Sequence, residues 1–227
     1  IKRITMLSWQ IRCTQCSRKI SDILDMKKNH GMISVIVPYV KDRGYLQQCL
    51  DSIRSQDVDF ELIECRSNES LPVNFNRGLA KAKGKFIKMV QDDDWLPRDA
   101  LKYLREGIGE HPWVVGNVWQ ICSNNYVHKP ETLDFQANVV NNTLHMGSIL
   151  YKTDVLRAIG GMDESLTTGE EYDMHLKLFS CGYDPGYIDK EVYCYRMWAG
   201  GKSVIYRRKR KEWRKHEIEK IQNRYKK

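Results

Sequence analysis

Phe86-Ile87-Lys88-Met89-Val90-Gln91-Asp92-Asp93-Asp94-Trp95 is an apolar run that ends in three consecutive carboxylates. The run is short and nearly continuous, which reads as a buried strand. Adjacent carboxylates repel one another, so a chain that sets three of them at a strand end has a cation to hold there or a helix N-terminus to cap. Pro97 and Asp99 follow and suit the first turn of a helix through Leu104. Under the capping alternative, Asp93 and Asp94 serve only that helix.

The stretches upstream repeat the pattern. Ile33-Ser-Val-Ile-Val-Pro38 is β-branched and reads as a strand buried on both faces, as in a parallel sheet. Leu46, Cys49, Leu50 and Ile53 recur at helical spacing within Tyr45 to Arg54. Phe60 to Cys65 is a second strand, Arg66 to Ser70 a polar loop, and Phe75 to Lys83 a helix ended by Gly84. Strands and helices that alternate over short connections predict a doubly wound α/β sheet, in which ligands bind at the carboxyl ends of the strands. The acidic triplet lies at one of those ends.

Downstream, Trp113 to Ile121 and His145 to Tyr151 read as strands, with Asn138 to Asn142 a polar loop between them. Thr153 to Ile159 is a helix stopped at Gly160-Gly161. Gly169 to Phe179 is a helix with Glu170, Glu171 and Asp173 in its first turn, where negative charge is stabilising. Val192 to Arg196 is a final strand, and Gly200-Gly201-Lys202-Ser203 reads as a flexible loop.

A length of 227 residues, 41% of them hydrophobic, fits one medium domain with small appendages: residues 1–30, a body at 31–205 and a tail at 206–227. No apolar run approaches the roughly 20 residues that span a bilayer, and the polar N-terminal stretch lacks a signal-peptide pattern. Seven mostly single cysteines argue for reduced thiols. Together these give a cytoplasmic expectation, with contact at a membrane surface as an option. Eleven Lys or Arg against three Glu in residues 207–227 account for the whole net charge of +8. The tail therefore has three readings: a helix that closes the fold, an anchor on an anionic membrane, or an electrostatic contact with nucleic acid. Cys13-Thr-Gln-Cys16 has zinc-knuckle spacing but supplies two of four ligands, with His30 the nearest other candidate. Two unpaired thiols are the alternative.

Seven pieces in order then carry a resemblance: Ser34-Val-Ile-Val-Pro, Cys49-Leu-Asp-Ser-Ile-Arg-Ser-Gln, Asn76-Arg-Gly-Leu-Ala-Lys-Ala-Lys-Gly-Lys-Phe-Ile, Gln91-Asp-Asp-Asp-Trp-Leu-Pro, Ile159-Gly-Gly-Met-Asp-Glu, Gly169-Glu-Glu-Tyr-Asp and Tyr195-Arg-Met-Trp. Over residues 31–205 the chain resembles a family 2 glycosyltransferase of GT-A fold. The string Ile11 to Ile20 is similar to the first knuckle of the small Com-type zinc-binding regulators of phages, which points to a phage or viral type.

The resemblance implies transfer of a sugar from a nucleotide-diphosphate donor to an acceptor hydroxyl, with Mn²⁺ or Mg²⁺ bridging the diphosphate to a D-x-D motif, here Asp92-Asp93-Asp94. Asp94 is the expected direct metal contact, with Asp92 alongside, and Asp92 and Asp93 reach the metal through water or bind the ribose. Pro38, Tyr39, Arg66, Arg77, Arg196 and Lys202 are the further donor-binding candidates, Lys202 on a loop that closes over the diphosphate. The base of the inverting reaction corresponds to Glu171, with Glu170 beside it, where relatives carry a Glu-Asp pair. His145 and Trp198 fall where relatives shape the acceptor or sugar pocket, and Trp198 stands where many carry a metal-binding His. Arg66-Ser67 replaces an Asp that contacts the nucleotide base. The rival readings are a non-catalytic nucleotide-sugar or glycan-binding module on the same scaffold and a nucleotidyltransferase. The sugar, nucleotide, acceptor (a glycan, a lipid-linked sugar or a modified DNA base) and oligomeric state stay open.

Overall fold

The computed structural model describes residues 31–226, apart from the side chains at positions 203, 207 and 208. Cys13, Cys16 and His30, and with them the zinc expectation, lie outside the described residues. The strands are β1 (Ile33–Tyr39), β2 (Phe60–Arg66), β3 (Phe86–Met89), β4 (Trp113–Ile121), β5 (Tyr126–His128), β6 (Ile149–Lys152) and β7 (Gly186–Arg196). The helices are α1 (Leu46–Arg54), α2 (Leu71–Lys81), α3 (Ala100–Ile108), α4 (Phe135–Val140), α5 (Thr153–Ala158), α6 (Glu170–Ser180), α7 (Lys202–Lys209) and α8 (Lys211–Tyr225).

All seven strands form one mixed sheet. β1 pairs in parallel with β2 and β3, and β4 in parallel with β7, while β6 joins β3 to β4 antiparallel to both. Together with β5, antiparallel to β4, this leaves five strands running one way and two the other. The sheet is α/β, mostly parallel and covered by helices on both faces, as expected.

Side chains alternate along each strand. Ile33, Val35 and Val37 therefore pack with Cys49, Leu50 and Ile53 of α1 and Leu101 and Leu104 of α3, whereas Ile36 packs on the opposite face with Phe75 and Leu79 of α2 and Phe179 of α6. Each such aliphatic side chain contributes about 1.5–3 kcal/mol by leaving water. A third apolar cluster joins Val139 of α4, Tyr172 and Leu176 of α6 and Ile221 of α8.

Several local expectations need correction. α2 starts at Leu71 rather than Phe75, because the Ser70 hydroxyl accepts from the Val73 amide and Pro72 sits in the first turn. Residues 138–140, expected as loop, end α4, whose first turn is capped by Asp134 accepting from the Ala137 amide at 2.8 Å. His145 to Tyr151 divides into a 3₁₀ turn (Met146–Ser148) and β6. Lys202 opens α7 rather than sitting in a flexible loop. The capping alternative for Asp93 and Asp94 fails: Asp99 is the N-cap of α3, in the left-handed region at φ 61° and without a cap bond of its own, and the first-turn amide of Leu101 donates to Gln56 Oε1 at 3.0 Å.

Candidate active site

The carboxyl end of β3 delivers the acidic triplet to the wall of a cavity of about 820 Å³. β1 contributes Pro38 and Tyr39, the loop after it Lys41 and Arg43, α6 contributes Glu170 and Glu171, and β7 contributes Arg196. The triplet divides by function of place. Asp92 and Asp93 line the cavity, whereas Asp94 is 1% exposed behind it.

Each carboxylate of the triplet has charged or strong donors. Arg43 Nη2 pairs with Asp92 Oδ1 at 2.6 Å and approaches Asp93 Oδ2 at 3.5 Å. Trp198 Nε1 donates to Asp93 Oδ2 at 2.9 Å. Asp94 accepts from the Tyr193 hydroxyl and from the Arg196 amide, each at 2.7 Å. Burial and the Asp93 carboxylate push the Asp94 carboxyl well above its ordinary value, against those two bonds. Lys88, fully buried on β3, donates to the carbonyl oxygens of Gly147 and Ile149. Burial lowers its ammonium to about 7, while Asp94 pulls the other way.

The second acidic cluster opens α6. Gly169 precedes it at φ 73°, a conformation that favours glycine. Lys202 Nζ pairs with Glu170 at 2.5 Å. Glu171 accepts from Gln91 Nε2 at 3.0 Å, so the residue just before Asp92 touches the proposed base. Burial, then the Glu170 carboxylate, raises the Glu171 carboxyl from 4.5 to about 7, and Lys202, Gln91 and Arg214 hold it lower than it would otherwise go.

The remaining candidates separate. His145 lines the cavity; burial lowers its imidazole to about 3, and Nδ1 accepts from the Gly147 amide at 3.1 Å. Arg196 lines it too, but its guanidinium is engaged by the Asp93 carbonyl and Gln48 and lies over the rings of Tyr45 and Trp95. Trp198 does not line the cavity: its indole is turned toward Asp93 and packs edge-on against Tyr45. Arg66 is exposed and Arg77 bonds Ser67 and Glu69, and neither lines the cavity. Lys202 lies on the Glu170 side. Arg43, Gln91 and Tyr193 were missed because the sequence gives their spacing to nothing; their partners are 49, 80 and 99 residues away.

Residues 57–158 match the model of Glycosyl transferase family 2. Over that stretch, a little under half of the chain, the sequence is similar to family 2 glycosyltransferases. Its sequence is similar to Glycosyltransferase GlyA of Streptococcus pneumoniae serotype 4, 22% identical over 223 residues, covering 78% of this chain and 32% of that protein. Its fold is similar to S. aureus TarS 1–349 in complex with UDP-GlcNAc, with TM-score 0.62 at 18% identity, covering 75% of this chain and 60% of that one. It is also similar to the mannosyltransferase PcManGT from Pyrobaculum calidifontis in complex with GDP-Man and Mn²⁺, with TM-score 0.60 at 16% identity, covering 86% and 65%. The chain thus spans about a third of the curated relative. The phage-type expectation gains no support from these cellular relatives.

The donor set fits a metal shared with a ligand, not a protein cage. Among the described residues no group of three or more His, Cys, Asp and Glu side chains converges on one point. Asp92 and Asp93 present hard oxygens to the cavity, which suits Mn²⁺ or Mg²⁺ if diphosphate and water complete the coordination.

Proposed function

We propose that this chain is a metal-dependent, inverting glycosyltransferase that uses a nucleotide-diphosphate sugar and a hydroxyl acceptor. The observation that carries the reading is the Gln91–Glu171 hydrogen bond, which ties the acidic triplet and a carboxyl of raised pKa into one cavity. Glu171 takes the proton of the acceptor hydroxyl. The acceptor oxygen forms a bond to the anomeric carbon as the bond from that carbon to the diphosphate oxygen breaks, and the nucleoside diphosphate leaves with the electron pair. A carboxylate near 7 is matched to proton abstraction at neutral pH.

Asp92 and Asp93 would hold the metal, and a bound divalent ion would supply counter-charge for the leaving diphosphate. Asp94, expected as the direct contact, is better placed as a positioning residue, because it is buried behind the cavity wall and bonded to Tyr193 and the Arg196 amide. Trp198 orients Asp93. Arg43 adds positive charge beside the same carboxylates. Pro38 and Tyr39 line the donor side of the cavity. The nucleotide-sugar class is supported by the UDP-GlcNAc and GDP-Man of the two structural relatives, which differ in base and sugar.

The test is release of nucleoside diphosphate from a panel of UDP- and GDP-sugars with Mn²⁺. Release from at least one donor, abolished by EDTA and by Asp93→Asn, is expected. No release from any donor favours the binding-module reading, and pyrophosphate release from a nucleoside triphosphate favours a nucleotidyltransferase.

A further inference from the structure

The charge concentrated in the C-terminal tail stands beside the cavity. α8 is anchored on the first turn of α6: Ile221 is fully buried, and a Cβ at Gly169 would meet the Cδ1 atoms of Ile221 and Ile218 at 2.7 and 2.8 Å. Arg224 Nη1 pairs with Asp163 and Asp173 at 3.0 Å each, and Gln222 Nε2 donates to the Val140 carbonyl at 3.0 Å. Anchored in this way, the two C-terminal helices turn Lys202, Tyr206, Arg214, Ile218 and Gln222 toward the cavity that holds Glu171.

The basic groups of this wall are not equivalent. Arg224 is consumed in anchoring and Lys202 in the pair with Glu170. Arg214 is partly buried, lines the cavity, and among the described residues its side chain has no hydrogen-bond or ion-pair partner. It stands close enough to Glu171 for its charge to act on that carboxyl. A partly buried guanidinium facing a cavity gains most from an anion, and its planar fork matches phosphate and carboxylate oxygens.

We propose that α7 and α8 form the acceptor subsite and that Arg214 receives a phosphate or carboxylate carried by the acceptor close to the reacting hydroxyl. This rests on the glycosyl-transfer reading above, since Glu171 marks the acceptor side. The excess positive charge of the tail draws such acceptors toward the cavity.

Glucose and glucose 6-phosphate, which differ by the phosphate alone, are the probes, with glucuronate as the carboxylate counterpart. Their binding to the full chain is read by saturation-transfer NMR at constant ionic strength. The anionic sugars are expected to bind about tenfold more tightly than glucose, the factor of one well-made charged contact. Arg214→Ala removes the preference and Arg214→Lys keeps part of it. Lys220→Ala, whose ammonium pairs with Glu217 outside the cavity, leaves it intact. The proposal is overturned by three results: no preference in the unmodified chain, a preference that survives Arg214→Ala in a natively melting variant, or equal losses in Arg214→Ala and Lys220→Ala. Nucleoside diphosphate release by the unmodified chain is scored separately. Release without an Arg214-dependent preference removes this subsite and leaves the proposed activity standing; the preference without release removes the activity.

Discussion

The two acidic clusters are made of the same chemistry and differ in the donors that hold them. Asp92, Asp93 and Asp94 accept from a guanidinium, an indole, a phenol and a backbone amide, so each member is held in place by strong donors. Glu171 receives one neutral amide from Gln91, and its cationic neighbours Lys202 and Arg214 do not bond to it directly. Burial raises Asp92 and Asp94 as well, against those donors, and moves Glu171 to about 7. The contrast lies in the partners: under the proposed function, the strongly held triplet serves the leaving group and the lightly held Glu171 the attacking one.

The contrast breaks most severely at Glu171. Glu171→Gln is expected to lower transfer by about 10³-fold, within the range for loss of a general base, as measured by nucleoside diphosphate release with acceptor. The same change bears on stability. The folded-state value of Glu171 lies above the ordinary 4.5, so the folded chain binds that proton more tightly than the unfolded chain. Its stabilising contribution is present below about pH 4.5 and is lost as pH rises through about 7. Glu171→Gln, scanned thermally at pH 5 and pH 8, should therefore gain on the parent at pH 8, by up to about 3 kcal/mol.

Trp198→Phe probes the other cluster. It keeps the ring against Tyr45 and removes the donor to Asp93. The apparent Mn²⁺ affinity in the presence of donor should fall by about tenfold, as for other groups that orient a ligand. An unchanged metal titration would assign Trp198 to packing alone. Gln91→Leu gives the smallest effect: loss of the bond that holds Glu171 down moves the lower limb of the pH–transfer profile upward, by less than about one unit.

The division between legible and hidden follows the range of the interactions. β1, β3, β4 and α6 are apolar or amphipathic over several residues, and local pattern alone placed them within a few positions. α4 was hidden because it is only six residues long and carries Asn138, whose amide bonds Thr132 and Asp134. The tail was hidden as a cavity wall because its apolar stripe is thin; Ile218 and Ile221 gain their role only by meeting Gly169. Asp94 and Trp198 carried the family pattern, yet their roles depend on which way a side chain turns at a strand end. The Tyr193 hydroxyl and Asp93 carboxylate settle that, and neither is readable from spacing.

The division of labour between the clusters is tested most directly by calorimetric titration of a turned-over nucleotide sugar with Mn²⁺ into Glu171→Gln and Asp93→Asn, beside the unmodified chain. Glu171→Gln should bind the donor within about threefold of the parent while transferring almost none of it, and Asp93→Asn should lose about tenfold or more in metal-dependent donor affinity. Equal loss of donor binding in both variants, or full donor affinity in Asp93→Asn, would contradict the assignment of the triplet to the leaving group and Glu171 to the attacking one.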